Sequence, residues 1–143
     1  MGKSLVIEIK NLTKMFGGLC AVNDFSGSLH ENQIIGILGP NGAGKTTILN
    51  IVSGIYPPTS GDVLYKGQNI SKLEPDKINH LGIARTFQNI RLFQDLTVLQ
   101  SVMTAYSWRA PYYVLETLIS LPRVARFEKE SREKSMHWIE KVG

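Results

Sequence analysis

The sequence predicts an α/β fold in which a glycine-rich loop carries the chain from a buried strand into a helix. Three observations predict it. Gln33-Ile34-Ile35-Gly36-Ile37-Leu38 is a nearly continuous apolar run, as a strand buried on both faces of a sheet requires. Gly39-Pro40-Asn41-Gly42-Ala43-Gly44-Lys45-Thr46 follows it directly and satisfies the pattern G-x-x-x-x-G-K-[ST]. From Lys45 to Ser53 the apolar residues Ile48, Leu49, Ile51 and Val52 suit a buried helix, which Gly54 would end and Pro57-Pro58 would keep from resuming.

The remaining elements read as follows. Leu5 to Ile9 is a strand, and Ala21 to Leu29 is a second extended run that sets Val22, Phe25 and Leu29 against polar neighbours. The opening section is therefore β-rich. Thr59-Ser60-Gly61-Asp62 is a turn before a strand at Val63-Leu64-Tyr65, and Lys66-Gly67-Gln68 turns the chain again. A short helix from about Pro75 to His80 feeds a strand at Ile83 to Phe87. From Thr97 onward the signals are helical. Thr97 caps a helix carrying Val98, Leu99, Val102 and Tyr106, a second run covers Tyr112 to Ser120, and a charged helix extends from about Arg123 to Lys141. On that last helix Val124, Phe127, Ser131, Ser135, Trp138 and Val142 trace a stripe at helical spacing.

Composition narrows the function classes. With 43% apolar residues the chain can bury a core of ordinary globular size. The net charge of +4 fits a phosphate ligand or an anionic surface, but basic and acidic residues are interleaved, and no nucleic-acid partner is expected. In the tail, Arg123, Arg126, Lys129, Arg132 and Lys134 alternate with Glu128, Glu130, Glu133 and Glu140, which reads as a solvated helix face. A single cysteine, Cys20, rules out an intramolecular disulfide and a four-thiolate zinc site, and suits a reducing compartment. The longest apolar stretch, Tyr112 to Leu121, is interrupted by Glu116 and falls short of the ~18 residues of a membrane span, so the chain is expected to be soluble.

Each residue type in the glycine-rich loop has a chemical reason. Gly39, Gly42 and Gly44 allow backbone conformations and close approaches that a side chain would block, so that successive amides can point at phosphate oxygens. The helix N-terminus then faces the anion. Lys45 brings a cation on a flexible stem to the β- and γ-phosphates. The Thr46 hydroxyl can ligate Mg²⁺, which prefers oxygen donors, and Thr47 is placed to reach the α-phosphate. The loop is a P-loop, and the fold a P-loop NTPase.

Residues on both sides of the loop carry a resemblance. Met15-Phe16-Gly17-Gly18 with Ala21-Val22, the loop itself through Thr47 with Ser53-Gly54 and Gly61, and Arg85-Thr86-Phe87-Gln88 together resemble the ATP-binding subunits of ABC transporters. Phe16 to Asn23, Ala84 to Phe93 and Leu96-Thr97-Val98 are most similar to the ATPases of branched-chain amino acid importers. The resemblance implies an N-terminal antiparallel β subdomain with a P-loop core sheet over about residues 1–95, and the start of a helical subdomain over about 96–143. It implies ATP and Mg²⁺ as ligands, with Phe16 stacking on adenine and Val22 beside it. Gln88 would be the residue that reaches Mg²⁺ and the attacking water, so that Lys45 and Gln88 carry the catalytic roles. Adenine rather than guanine is implied by the resemblance alone, since stacking accepts any purine. Gln100 and Ser101 depart from the family pattern, which commonly has Glu and Asn there.

The implied partners are transmembrane permease subunits and a second ATPase subunit, at the cytoplasmic face of the plasma membrane. The resemblance runs the whole chain, yet the chain covers only a little over half of such a subunit. No segment supplies the Leu-Ser-Gly-Gly-Gln-like signature, the acidic pair that ends a later strand, or the switch histidine. His30, His80 and His137 match no motif. The expectation is one half of a nucleotide site, able to bind ATP and lacking the general base. Two alternatives stand beside an energy-coupling subunit: a truncated module that binds ATP without hydrolysing it, and a P-loop protein acting on DNA, which would lack the matches at Phe16–Val22 and Arg85–Phe93.

Overall fold

The computed structural model describes residues 4–87, 93–107, 110 and 122–142. The chain divides into two compact units, Met1–Thr86 and Phe87–Gly143.

In the first unit, β1 (Leu5–Phe16) and β2 (Leu19–His30) form a long antiparallel hairpin that turns at Gly17-Gly18. β3 (Ser60–Tyr65) pairs with the other edge of β1, and the two-residue β4 (Gln68–Asn69) pairs with β3, giving the order β2-β1-β3-β4. The hairpin extends well beyond the expected Leu5–Ile9 and Ala21–Leu29 because polar side chains bridge its irregularities. Asn11 and Asp24 adopt positive φ of 47° and 50°, where the ladder shifts register. The Asn11 side-chain amide donates to the Asp24 carboxylate (2.8 Å), the Asn11 amide to Ser26 Oγ (2.9 Å), and the Asp24 amide to Thr13 Oγ1 (3.1 Å). Backbone groups that the bulges take out of the ladder thus keep partners. The turn expected at Lys66-Gly67-Gln68 is a two-residue loop, with Lys66 and Gly67 at φ of 48° and 83°. Both positive angles match the twist of the strands, and Gln68 already belongs to β4.

The helix α1 (Lys45–Val52) lies within the expected segment, and α2 (Pro75–His80) has the expected bounds, with proline in its first turn. Ile48 and Ile51 of α1, Ile78 of α2, Ile70, and Ile9, Leu12, Val22 and Val63 of the sheet form one buried cluster. Leu12 and Val63 are fully buried. α1 therefore packs on the sheet through the residues one and two turns beyond the glycine-rich loop.

Two expected strands are not formed. Gln33 to Leu38 has no strand partner, and Ile34 (103% exposed) and Leu38 (94%) project into solvent while only Ile37 packs against the core. Ile83 to Phe87 likewise joins no ladder. A strand exists only through its neighbours, and no described segment offers a ladder to either run. Beside Ile34 and Ile35 lies an apolar concavity of about 610 Å³, floored by Ile7, Phe25, Ile48 and Leu49.

The second unit contains α3 (Val98–Tyr106) and α4 (Pro122–Val142), packed against each other. Thr97 and Gln100 form a reciprocal capping box: Thr97 Oγ1 accepts from the Gln100 amide, and Gln100 Oε1 accepts from the Thr97 amide (2.8 Å). Gln100, which departs from the family pattern, thus performs the reaching-back role that Glu or Gln can fill. Tyr106 and Phe127 stack at 5.8 Å, and Lys134 Nζ donates to the Tyr106 hydroxyl (2.9 Å) and to the Glu130 carboxylate. These bonds, the carboxylate first, raise the Lys134 pKa above its ordinary value. Val124, Ser131 and Ser135 are buried as the helical stripe implies, but Trp138 (55% exposed) and Val142 (87%) are not. The segment Tyr112 to Ser120, expected to be helical, lies outside the described residues. Among the described residues no helix is long and apolar enough to cross a membrane.

The burial pattern sets an expected outcome. Leu12→Ala should cost about 2–5 kcal/mol, because it leaves a cavity in the cluster that joins sheet and helix, whereas Leu19→Ala, at an exposed turn, should stay within about 0.5 kcal/mol. Urea denaturation of the two variants checks this; equal losses would mean that the sheet is not packed as described.

Candidate nucleotide site

The glycine-rich loop enters α1 through two left-handed residues, Gly42 (φ 84°) and Gly44 (φ 80°), and Gly44 is the helix N-cap. A Cβ on Gly42 would meet nothing within 4 Å, but one on Gly44 would lie 2.3 Å from the Ala21 carbonyl oxygen and 3.1 Å from Val22 Cγ2. Position 44 thus needs glycine twice over, once for its φ and once because the β2 backbone occupies the space. The Ala43 amide donates to the Pro40 carbonyl (3.2 Å), which tightens the loop, and the Ile48 amide donates to the Gly44 carbonyl (2.9 Å), which begins the helix.

No side chain caps α1 and no acidic residue occupies its first turn. The first-turn amides of Lys45, Thr46 and Thr47 have no intrahelical acceptor, and they stand at the positive end of the helix dipole. Lys45 Nζ folds back to donate to the carbonyls of Gly39 (2.7 Å) and Pro40 (2.6 Å), so the ammonium sits over the same loop. Gly39, Pro40, Asn41, Gly42, Ala43 and the Thr46 side chain are exposed, and Thr47 is half-buried. The helix start and the Lys45 ammonium therefore meet at one solvent-facing loop, with Thr46 exposed in the first turn that follows. This donor set fits an anionic oxygen ligand, and a Thr hydroxyl beside it fits Mg²⁺ that is otherwise held by phosphate and water. Among the described residues there is no group of three His, Cys, Asp or Glu side chains that could hold a metal by itself.

The other expected site residues fall as follows. Phe16, the last residue of β1, is 41% exposed and meets Tyr56 edge-on, with ring centroids 5.4 Å apart and planes at 82°. Lys14 Nζ stands 5.1 Å from the Phe16 centroid and donates to the Pro57 carbonyl (2.6 Å). Val22 is only 6% exposed: it belongs to the core cluster and bears on the loop through Gly44. Gln88 lies outside the described residues. Arg85, three residues before it, donates through Nη1 to Asn50 Oδ1 and to Ser53 Oγ (3.1 Å), and so ties its segment to α1. Sequence reading missed Tyr56 and Lys14 as neighbours of Phe16: no local pattern signals the Tyr56 contact across 40 residues, whereas Lys14, two residues before Phe16 on β1, shares its face by strand alternation.

The ABC transporter family model matches residues 22–143, which include the whole loop and α1. The chain belongs to the ABC transporter family. Among curated members of that family, it is 39% identical over 137 residues to the high-affinity branched-chain amino acid transport ATP-binding protein BraF of Pseudomonas aeruginosa, covering 96% of this chain and 54% of that one. It is 34% identical over 138 residues to the corresponding protein LivG of Escherichia coli, with the same coverage. The chain thus spans about half the length of the curated relatives it matches. Among solved structures, a nucleotide-free ATP-binding cassette from an ABC transporter superposes with a TM-score of 0.66 at 29% identity, covering 82% of this chain and 46% of that one. A cassette in its ADP conformation gives a TM-score of 0.67, with the same identity and coverage. The fold is that of an ABC ATPase, a P-loop NTPase.

Gly42→Ala and Gly44→Ala each force a side chain to φ near +80°, at about 1–2 kcal/mol. Only Gly44→Ala also drives a methyl group into the Ala21 carbonyl. The urea midpoint of Gly44→Ala should therefore fall clearly below that of Gly42→Ala; matching midpoints would mean that the loop does not rest on β2.

Proposed function

We propose that this chain binds the triphosphate of Mg·ATP in the cradle of Gly39, Pro40, Asn41, Gly42, Ala43, Gly44, Lys45, Thr46 and Thr47. The observation that carries the reading is the uncapped N-terminus of α1 with the Lys45 ammonium folded over the same loop. Backbone amides receive the phosphates, Lys45 exchanges its two carbonyl partners for β- and γ-phosphate oxygens, and Thr46 Oγ1 joins the Mg²⁺ shell. Phe16 offers its exposed ring to the base, and Val22 supplies the apolar wall behind Gly44. Bound Mg²⁺ would neutralise charge on the phosphates; the residues assigned here bind and orient, and none of them is a general base.

In the whole protein, ATP binding and hydrolysis would drive an ABC import system, with Gln88 contacting Mg²⁺ and the attacking water. The partners would be transmembrane permease subunits and a second ATPase subunit, at the cytoplasmic face of the membrane. Branched-chain amino acids are the proposed cargo, supported by the names of the BraF and LivG relatives at 39% and 34% identity.

Calorimetric titration of the chain with ATP in Mg²⁺, alongside a steady-state phosphate-release assay, tests the reading. Lys45→Ala removes charge-assisted hydrogen bonds to phosphate and should weaken ATP binding at least about tenfold. Turnover should be absent from both proteins. ATP binding indifferent to Lys45→Ala would refute the cradle, and turnover that depends on Lys45 would show that a residue of this chain serves as the base.

A further inference from the structure

The segment that follows α1 is clamped onto the end of β1. The Thr59 amide donates to the Thr13 carbonyl (2.8 Å), the Met15 amide donates to Thr59 Oγ1 (2.9 Å), and Lys14 Nζ donates to the Pro57 carbonyl (2.6 Å). Three hydrogen bonds thus fix residues 57–59 along residues 13–15, one step before Phe16. Within this clamp the Tyr56 ring meets Phe16 edge-on at 5.4 Å, and the Lys14 ammonium stands 5.1 Å from the Phe16 centroid and 5.8 Å from that of Tyr56.

Among the described residues, the ring contacts of Phe16 are those with Tyr56 and Lys14. Phe16 ends a strand, Gly17-Gly18 follows, and its ladder partner Leu19 is 67% exposed. An aromatic ring that samples several rotamers at the mouth of a flexible turn would lose that freedom on stacking with a base, and affinity would fall accordingly. An edge-to-face partner and a cation over the ring restrict it beforehand, through the ring quadrupole as well as by contact.

We propose that Tyr56 and Lys14 are positioning residues for purine binding: they hold the Phe16 ring as a preformed stacking platform and act on the base alone, not on the phosphates. The inference rests on the reading of Phe16 as the base platform. It also gives the α1-to-β3 connection a function, because Tyr56 leaves α1 four residues after Val52 and so sets the distance between platform and phosphate cradle.

The test separates base from phosphate by comparing two ligands, ATP and inorganic tripolyphosphate, each titrated into the full chain with Mg²⁺. Phe16→Ala should reduce ATP affinity about five- to hundredfold and leave tripolyphosphate affinity unchanged. Tyr56→Leu should reduce ATP affinity about two- to tenfold and Lys14→Met about two- to fivefold, again with tripolyphosphate unchanged, and Tyr56→Phe should restore the wild-type ratio. If Tyr56→Leu weakens both ligands equally, Tyr56 supports the fold and not the platform, and the inference fails while the Phe16 reading stands. If Phe16→Ala changes the ratio but neither Tyr56→Leu nor Lys14→Met does, the inference fails in the same way. A ratio unmoved by Phe16→Ala itself overturns both the platform and its supports, while tripolyphosphate binding lost in Lys45→Ala would still uphold the phosphate cradle.

Discussion

The close approach of Gly44 to the Ala21 carbonyl organises the first unit. A Cβ at that point would be 2.3 Å from the oxygen, so the loop and β2 touch backbone to backbone. From this contact the chain runs into the core on both sides. Val22, next to Ala21, enters the buried cluster, and Ile48 and Ile51, one and two turns beyond Gly44, enter the same cluster. The loop is therefore suspended between two anchored elements rather than tethered at one end. That is why eight residues, four of them without a side chain beyond a methyl group, can hold a defined curve: the order comes from the strand and helix that flank them.

The polar side of the site follows from that anchoring. With the helix start fixed and uncapped, its amides keep their direction, and the positive end of the dipole cannot turn away. Lys45 answers this by using the carbonyls of Gly39 and Pro40 as acceptors, so the loop is satisfied internally by its own cation. Exchanging two carbonyl acceptors for phosphate oxygens keeps the number of hydrogen bonds similar while replacing neutral acceptors by charged ones. The Lys45 ammonium is charged in both arrangements, so the gain comes from the Coulomb attraction of the acceptor's own charge. The balance favours an anionic oxygen ligand, and more so the higher its charge.

What the sequence disclosed was local, and what it hid was long-range. The P-loop, α1 and α2 were legible because glycines, prolines and apolar spacing act within a few residues, and the Thr97 cap for the same reason. The long hairpin was only half legible: its extension past Ile9 depends on Asn11, Thr13, Asp24 and Ser26 finding one another across two strands, with two residues at positive φ. Gln33–Leu38 and Ile83–Phe87 show the opposite error. Their composition is that of buried strands, but composition states only what a segment requires, and the required ladder partners are not among the described residues. The exposure of Ile34 and Leu38 is the physical mark of that unmet requirement. The Phe16–Tyr56 contact left no trace in the sequence, since Tyr56 stands at neither a periodic position nor a motif.

Because the site is built from core elements, weakened binding and weakened folding are easily mistaken for each other. Val22 and Gly44 belong to both: each shapes the loop, and each is packed where any change also disturbs the sheet. Ligand binding is linked to stability in the same way, since a ligand at ~100 times its dissociation constant adds about 2.7 kcal/mol to the folded state and can mask a comparable packing defect. Phe16, Lys45 and Thr46 differ, because none of them belongs to the buried cluster and their polar or aromatic groups face the cradle or solvent. The division is therefore chemical as well as spatial. Gly44 and the buried Val22 fix the shape of the loop, and the more accessible aromatic, cation and hydroxyl can be changed without opening the core.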